Sequence, residues 1–157
     1  MDEQSEVATN YETMKHIRNV QRCINIVLNA LIKRADEHDQ TKMESPEVEG
    51  FTEVTHKLAG STYGSDEYKK FLAQLKPALD HHYSRNRHHP EHFKDGIEDM
   101  NIIDLVEMLC DWKAATIRHK DGNLKKSIEH NQDRFSLSPQ LTKVLENSIA
   151  LFDDIQD

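Results

Sequence analysis

Basic residues are in deficit: 20 Lys and Arg face 28 Asp and Glu, a net charge of −8 over 157 residues. That balance excludes a general nucleic-acid binder, which needs a basic face to neutralise phosphates. Cysteine is nearly absent. Cys23 and Cys110 cannot build a disulfide framework and suit a reducing cytosol; both fall in apolar helical patterns and are expected in the core. Glycine is scarce, and neither a Gly-rich phosphate loop nor a nucleophile elbow is present. No apolar run approaches the ~20 residues of a membrane span. The opening residues Met1-Asp2-Glu3-Gln4-Ser5-Glu6 carry no basic n-region and no apolar h-region. A cytoplasmic protein without a membrane partner is therefore expected.

Alternation of apolar and polar residues is also missing, so no strand is predicted. Helical spacing recurs instead, and a 36% hydrophobic content suffices for one compact all-α domain of about six helices spanning residues 1–157. Residues 1–10 precede the first helical pattern and are expected to be flexible. Ile17, Val20, Ile24, Val27, Leu28 and Leu31 make one apolar stripe, which predicts a helix over Tyr11–Arg34. Ser45-Pro46-Glu47 starts a second helix carrying Val48, Phe51, Thr55 and Leu58. A loop follows at Gly60–Gly64. Ser65 caps a third helix with Tyr68, Leu72, Leu75, Leu79 and His82 on its stripe, kinked or restarted at Pro77. The polar stretch Ser84–Asp99 reads mostly as loop.

A fourth helix, Met100–Lys120, is apolar around most of its circumference and is expected to be central. Asp121-Gly122 ends it. A short helix over Leu124–Arg134 and a last one from Ser138-Pro139 complete the chain. The inner face of the last helix carries Leu141, Val144, Leu145, Ser148 and Phe152. Its outer parts offer a surface for a second copy, so a homodimer is possible.

Histidine is the residue in excess. Of ten, five (His81, His82, His88, His89 and His92) fall within twelve residues. Neutral imidazoles beside carboxylates are the usual donors for a divalent ion. His82 shares the stripe of Leu75 and Leu79, which turns it inward with Asn86, and His88 and His89 return from the loop before Pro90. His38-Asp39 is a second candidate pair, with Lys42 one turn on to hold a phosphate. Asp104, Glu107 and Asp111 form a third group. Steps of three and four place these carboxylates on one helix face, where their mutual repulsion is relieved by a cation. Arg87, Lys113 and Arg134 are candidate contacts for an anionic substrate. Trp112 is expected in the core.

These motifs resemble the HD-domain superfamily of metal-dependent phosphohydrolases, all-α proteins with a His, a His-Asp pair and a distant Asp around one or two divalent ions. His38-Asp39-x-x-Lys42 matches the pair and lysine. His82 and His88-His89-Pro90-Glu91 are similar to the additional histidines of some branches, and Asp104 (or Asp111) to the distant aspartate. The chain is also similar to small phage and bacterial proteins. The resemblance implies a metal centre of His38, Asp39, His82, His88, His89 and Asp104, holding one or two ions of Mn, Fe, Co, Zn or Mg. Glu107, Asp111 and Lys42 would be the catalytic groups, and Lys42, Arg87, Lys113 and Arg134 would meet a small phosphorylated substrate such as a nucleotide. His16 would fill the place of the first histidine. Along an unbroken helix, however, it stands roughly 30 Å from His38, so a site built from the other groups is expected. Two rival readings use the same residues: a non-catalytic helical binding module stabilised by metal, and an all-α nucleoside triphosphate pyrophosphatase-like Mg enzyme built on Asp104-x-x-Glu107-x-x-x-Asp111.

Overall fold

A computed structural model describes residues 3–60, 66–117, 122–153 and 155; within these spans the side chains of residues 3, 55, 56, 58–60, 67–69 and 72 are not described. The described residues form six α-helices, several short 3₁₀ turns and no strand: α1 Glu3–Glu37, α2 Glu47–Gly60, α3 Asp66–Arg85, α4 Ile102–Ile117, α5 Leu124–Phe135 and α6 Pro139–Asn147. The all-α class read from the sequence holds. The loop over 61–64, the Ser65 cap, Lys120, Asp121 and the side chains of Thr55, Leu58, Tyr68 and Leu72 lie outside the described residues.

The chain divides into two units, residues 1–37 and residues 38–157. The first is α1. It begins at Glu3, eight residues before the expected start at Tyr11, so residues 3–10 are helical. No Pro or Gly interrupts it. The helix is unbroken past His16, whose side chain is exposed. Cys23, expected in a core, is exposed as well.

In the second unit two apolar clusters form around different helix sets. α2 and α3 pair through Val54, Leu75 and Ala78, with Phe51, Phe71 and Leu79 at the margin. Their packing is antiparallel: Glu47 at the start of α2 meets His81 near the end of α3, and Gly50 lies opposite Ala78. A Cβ on Gly50 would come within 2.6 Å of the Ala78 Cβ, so the absence of a side chain there permits the close approach. Pro77 sits inside α3 without ending it.

The larger cluster joins α4, α5 and α6 through Met108, Leu109, Trp112, Leu124, Ile128, Leu137 and Leu145. Trp112 stacks on Phe135 at 6.4 Å. Fully burying a side chain such as Ile128 is worth roughly 1.5–3 kcal/mol. Sequence patterning overstated the cover of α4 and α6. Ile102, at the first turn of α4, and Cys110 and Val144 are exposed; neighbours pack against α4 at Asp104, Met108, Leu109 and Trp112 and against α6 at Thr142 and Leu145. No helix among the described residues is long and apolar enough to cross a membrane.

Candidate metal centre

Three segments of the second unit bring polar side chains together: the turn at His38–Lys42, the end of α3 with the loop after it, and the middle of α4. Asp39 takes a left-handed backbone conformation, φ 56° and ψ 13°, and leads into the 3₁₀ turn Gln40–Met43. Asp tolerates that region better than most residues because its short side chain bonds locally. After Arg85 the loop returns His88 and His89 toward His82, and Pro90 begins the next 3₁₀ turn.

Asp39 stands at the junction. Its Oδ1 lies 3.3 Å from Nε2 of His82 and 3.5 Å from Nε2 of His88. Its Oδ2 lies 3.5 Å from Nε2 of His38 and accepts a 2.6 Å hydrogen bond from Nζ of Lys42. The Nε2 atoms of His82 and His89 are 2.9 Å apart. Nε2 of His38 also faces Oδ1 of Asp111 at 3.8 Å. Two overlapping sets of donors result: Asp39, His82, His88 and His89, and His38, Asp39, His88 and Asp111. They share Asp39 and His88.

Buried acids behind the histidines fix their tautomers. Nδ1–H of His38 donates to Oε1 of Glu107 at 2.9 Å. Nδ1–H of His82 donates to Oε2 of Glu47 at 2.8 Å. A proton on Nδ1 leaves the Nε2 lone pair for the centre, the arrangement that usually supports ligating histidines. Nε2 of His82 then accepts from Nε2–H of His89, a proton that an incoming cation would replace. Glu47 also accepts from Thr41 and His81. Asn86 donates to Thr41 and to the His82 carbonyl, which ties the shell together.

Protonation follows from these contacts. Burial pushes the His89 imidazole down to about 3, aided by its neighbours His88 and His82. Burial also lowers His82, against the pull of Glu47. The Glu107 hydrogen bond raises His38, against burial. Burial alone would raise the Asp39 carboxyl, but the Lys42 hydrogen bond and charge hold it below its usual range. Glu47 behaves likewise: burial raises it, and bonds from His81, Thr41 and His82 outweigh that. His82 and His89 are thus held neutral beside ionised carboxylates, the states in which these groups ligate metal, whereas His38 must give up the proton that Glu107 favours before it can ligate.

A divalent ion fits this donor set. His88 is 1% exposed; its Nδ1 lies 3.1 Å from Oε1 of Glu107 without forming a hydrogen bond, its Nε2 has no hydrogen-bond partner, and Oδ1 of Asp39 is likewise buried without one. Buried polar atoms nearly always have partners. The observed donor separations of 2.9, 3.3 and 3.5 Å bracket the edge of a coordination polyhedron, roughly 2.9 Å for an octahedron and roughly 3.3 Å for a tetrahedron at ~2.0–2.1 Å bonds. The buried His/Asp cluster can therefore hold a metal ion.

The expected site residues divide. His38, Asp39, His82, His88, His89 and Asp111 converge, with Lys42 beside them and Glu107 behind. Asp104 does not join them. Seven residues before Asp111 on α4, it stands roughly 10 Å further along the axis. There it accepts two bonds from Arg87, at 3.1 and 2.9 Å, and one from the Asn101 amide in the first turn. Asp104, expected as a ligand, is in neither donor set, and Arg87, a candidate substrate contact, is paired with it. Arg134 pairs with Glu91 at 2.6 Å and lines a cleft of about 640 Å³ formed by Phe93, Ile97 and Leu141, to which no residue of the centre contributes. Lys113 and His16 belong to neither donor set. His92 bonds the Tyr83 carbonyl.

Glu47, fully buried at the heart of the network, was missed in the sequence. There it reads as an ordinary first-turn acid after a proline, and only the packing of α2 on α3 brings it to His81 and His82.

The DUF5662 family, a family of unknown function, matches residues 5–151. The chain belongs to this family. No curated protein and no solved structure matches it. This DUF5662 protein thus has a candidate metal centre within the stretch that defines its family.

Proposed function

We propose that this protein is a metal-dependent phosphohydrolase of HD-domain-like character, acting on a nucleotide or another small phosphate ester. One observation carries the reading. The donor sets overlap at Asp39 and His88, and they differ in access: His82 and His88 are buried, whereas the side chains of His38 and Asp111 are 30% and 31% exposed. A purely structural ion needs only the buried set. The half-open set, with the Lys42 ammonium beside it, leaves room for a phosphate oxygen.

Imidazole-rich donors favour a transition ion such as Zn, Mn, Fe or Co over Mg. When bound, a divalent ion supplies Lewis acidity toward a phosphoryl oxygen and makes water more acidic. The chain's own groups do the rest. Lys42 offsets phosphate charge by exchanging its Asp39 contact for the substrate. Asp111 offers one carboxylate oxygen to the centre, and its second oxygen accepts a proton from the attacking water and returns it to the leaving oxygen. Glu107 orients His38.

The test is release of phosphate or pyrophosphate from a panel of nucleotides and simple phosphate esters by protein loaded with Mn, Co, Zn or Fe. Turnover is expected. Lys42→Ala should lose most of it while keeping its metal. Absence of turnover across the panel by metal-loaded, folded protein overturns the reading. A second reading has its own support: Asp39, His82, His88 and His89 offer four donors, enough to close a tetrahedral site that serves stability alone. Tight metal retention and a large melting shift without turnover would favour that alternative.

A further inference from the structure

We propose that α1 is a dimerisation helix whose apolar stripe pairs with the same stripe of a second copy of this chain. Met14, Ile17, Val20, Ile24, Val27 and Leu28 are each between 41% and 53% exposed. That is unusual for six large apolar side chains in one row. Ile17, Val20, Ile24, Val27 and Leu31 are spaced 3-4-3-4, the a/d repeat of a two-helix seam, and Met14 and Leu28 flank it at the adjoining e positions.

Charge points to an identical partner. Between Val7 and Lys33 the charged residues are Glu12, Lys15, Arg18, Arg22 and Lys33, and in this register all five fall at b, c or f, on the far side of the helix. The e and g positions over the same span are Val7, Thr9, Met14, His16, Gln21, Cys23, Leu28 and Ala30. Partner choice between different coiled-coil chains is normally written in e and g charges. Here there are none, so two copies approach without like-charge repulsion and no foreign partner is selected by charge.

The area is adequate. The six exposed side chains present roughly 500 Å² of apolar surface, so a pair buries roughly 1,000 Å² over both copies before its rim is counted, the level at which a specific interface becomes credible. Val7, at an e position, extends the apolar surface toward the N-terminus.

Sedimentation equilibrium of the full-length protein over a wide concentration range tests this. A monomer–dimer equilibrium is expected in the wild type. Ile17→Asp with Ile24→Asp should weaken it at least tenfold while metal content stays at the wild-type level. Paired aspartates can also unwind a helix, so a second arm uses Val20→Cys in a Cys23→Ser, Cys110→Ser background: oxidation should give a covalent dimer, and Arg22→Cys, on the outer side, should not. A wild type that stays monomeric at every concentration overturns the proposal. So does a dimer that survives the paired aspartates, or a helix face protected from amide exchange in a protein that sediments as a monomer.

Discussion

Nε2 of His88 lies 3.5 Å from Oδ1 of Asp39, both atoms are buried, and neither forms a hydrogen bond among the described residues. Two polar atoms in that state cost roughly 1–3 kcal/mol each unless something else pairs them. A cation shared by both satisfies them together.

The first expectation is direct. Metal analysis after loading with Zn or Co and desalting should find bound ion in the wild type. His88→Ala and Asp39→Asn, which remove a shared donor from both sets, should bring occupancy close to zero. His16→Ala should leave it unchanged, since His16 is in neither set. Full occupancy in both ligand variants would discard the centre.

The supporting acids should tune affinity without supplying donors. Glu47→Gln and Glu107→Gln keep shape and lose charge. Each should weaken metal binding by about 10–100-fold while the saturating stoichiometry stays the same. Competition with a chelator measures this. A Glu47→Gln protein with wild-type affinity would mean that its bond to His82 has no bearing on the site.

Asp104 is fully buried, and Arg87 supplies two of its hydrogen bonds. Arg87→Ala leaves that carboxylate short of a partner. A stability loss of about 3 kcal/mol is expected by urea unfolding, at the low end for a broken buried pair because Arg87 is partly solvated and the Asn101 amide remains. Metal stoichiometry at saturation should not change. Loss of metal in folded Asp104→Asn would return Asp104 to the ligand list.

Gly50 tests the α2–α3 contact. Alanine in a helix interior ordinarily gains about 1 kcal/mol over glycine. Here its Cβ would meet Ala78 at 2.6 Å, and overpacking costs typically 1–3 kcal/mol. Net destabilisation of about 1 kcal/mol is expected for Gly50→Ala. Adding Ala78→Gly should recover the packing part of that loss. A more stable single variant would show that the two helices part easily.

The sequence by itself determined the helical class, because apolar steps of three and four with no alternation admit little else. It also determined the donor chemistry, because five histidines within twelve residues and a His-Asp pair are compositional facts. Inward placement of His82 and Asn86 followed from their phase with Leu75 and Leu79. What periodicity does not contain is height along an axis relative to another helix. Asp104 and Asp111 share a face, yet they stand two turns apart, so one meets Arg87 and the other His38. Glu47 likewise carries no local mark, and only the antiparallel docking of α2 on α3 turns it from a first-turn acid into the buried partner of His82. Periodicity names the face of a helix, whereas membership of a site depends on distances between helices, and tertiary packing sets those.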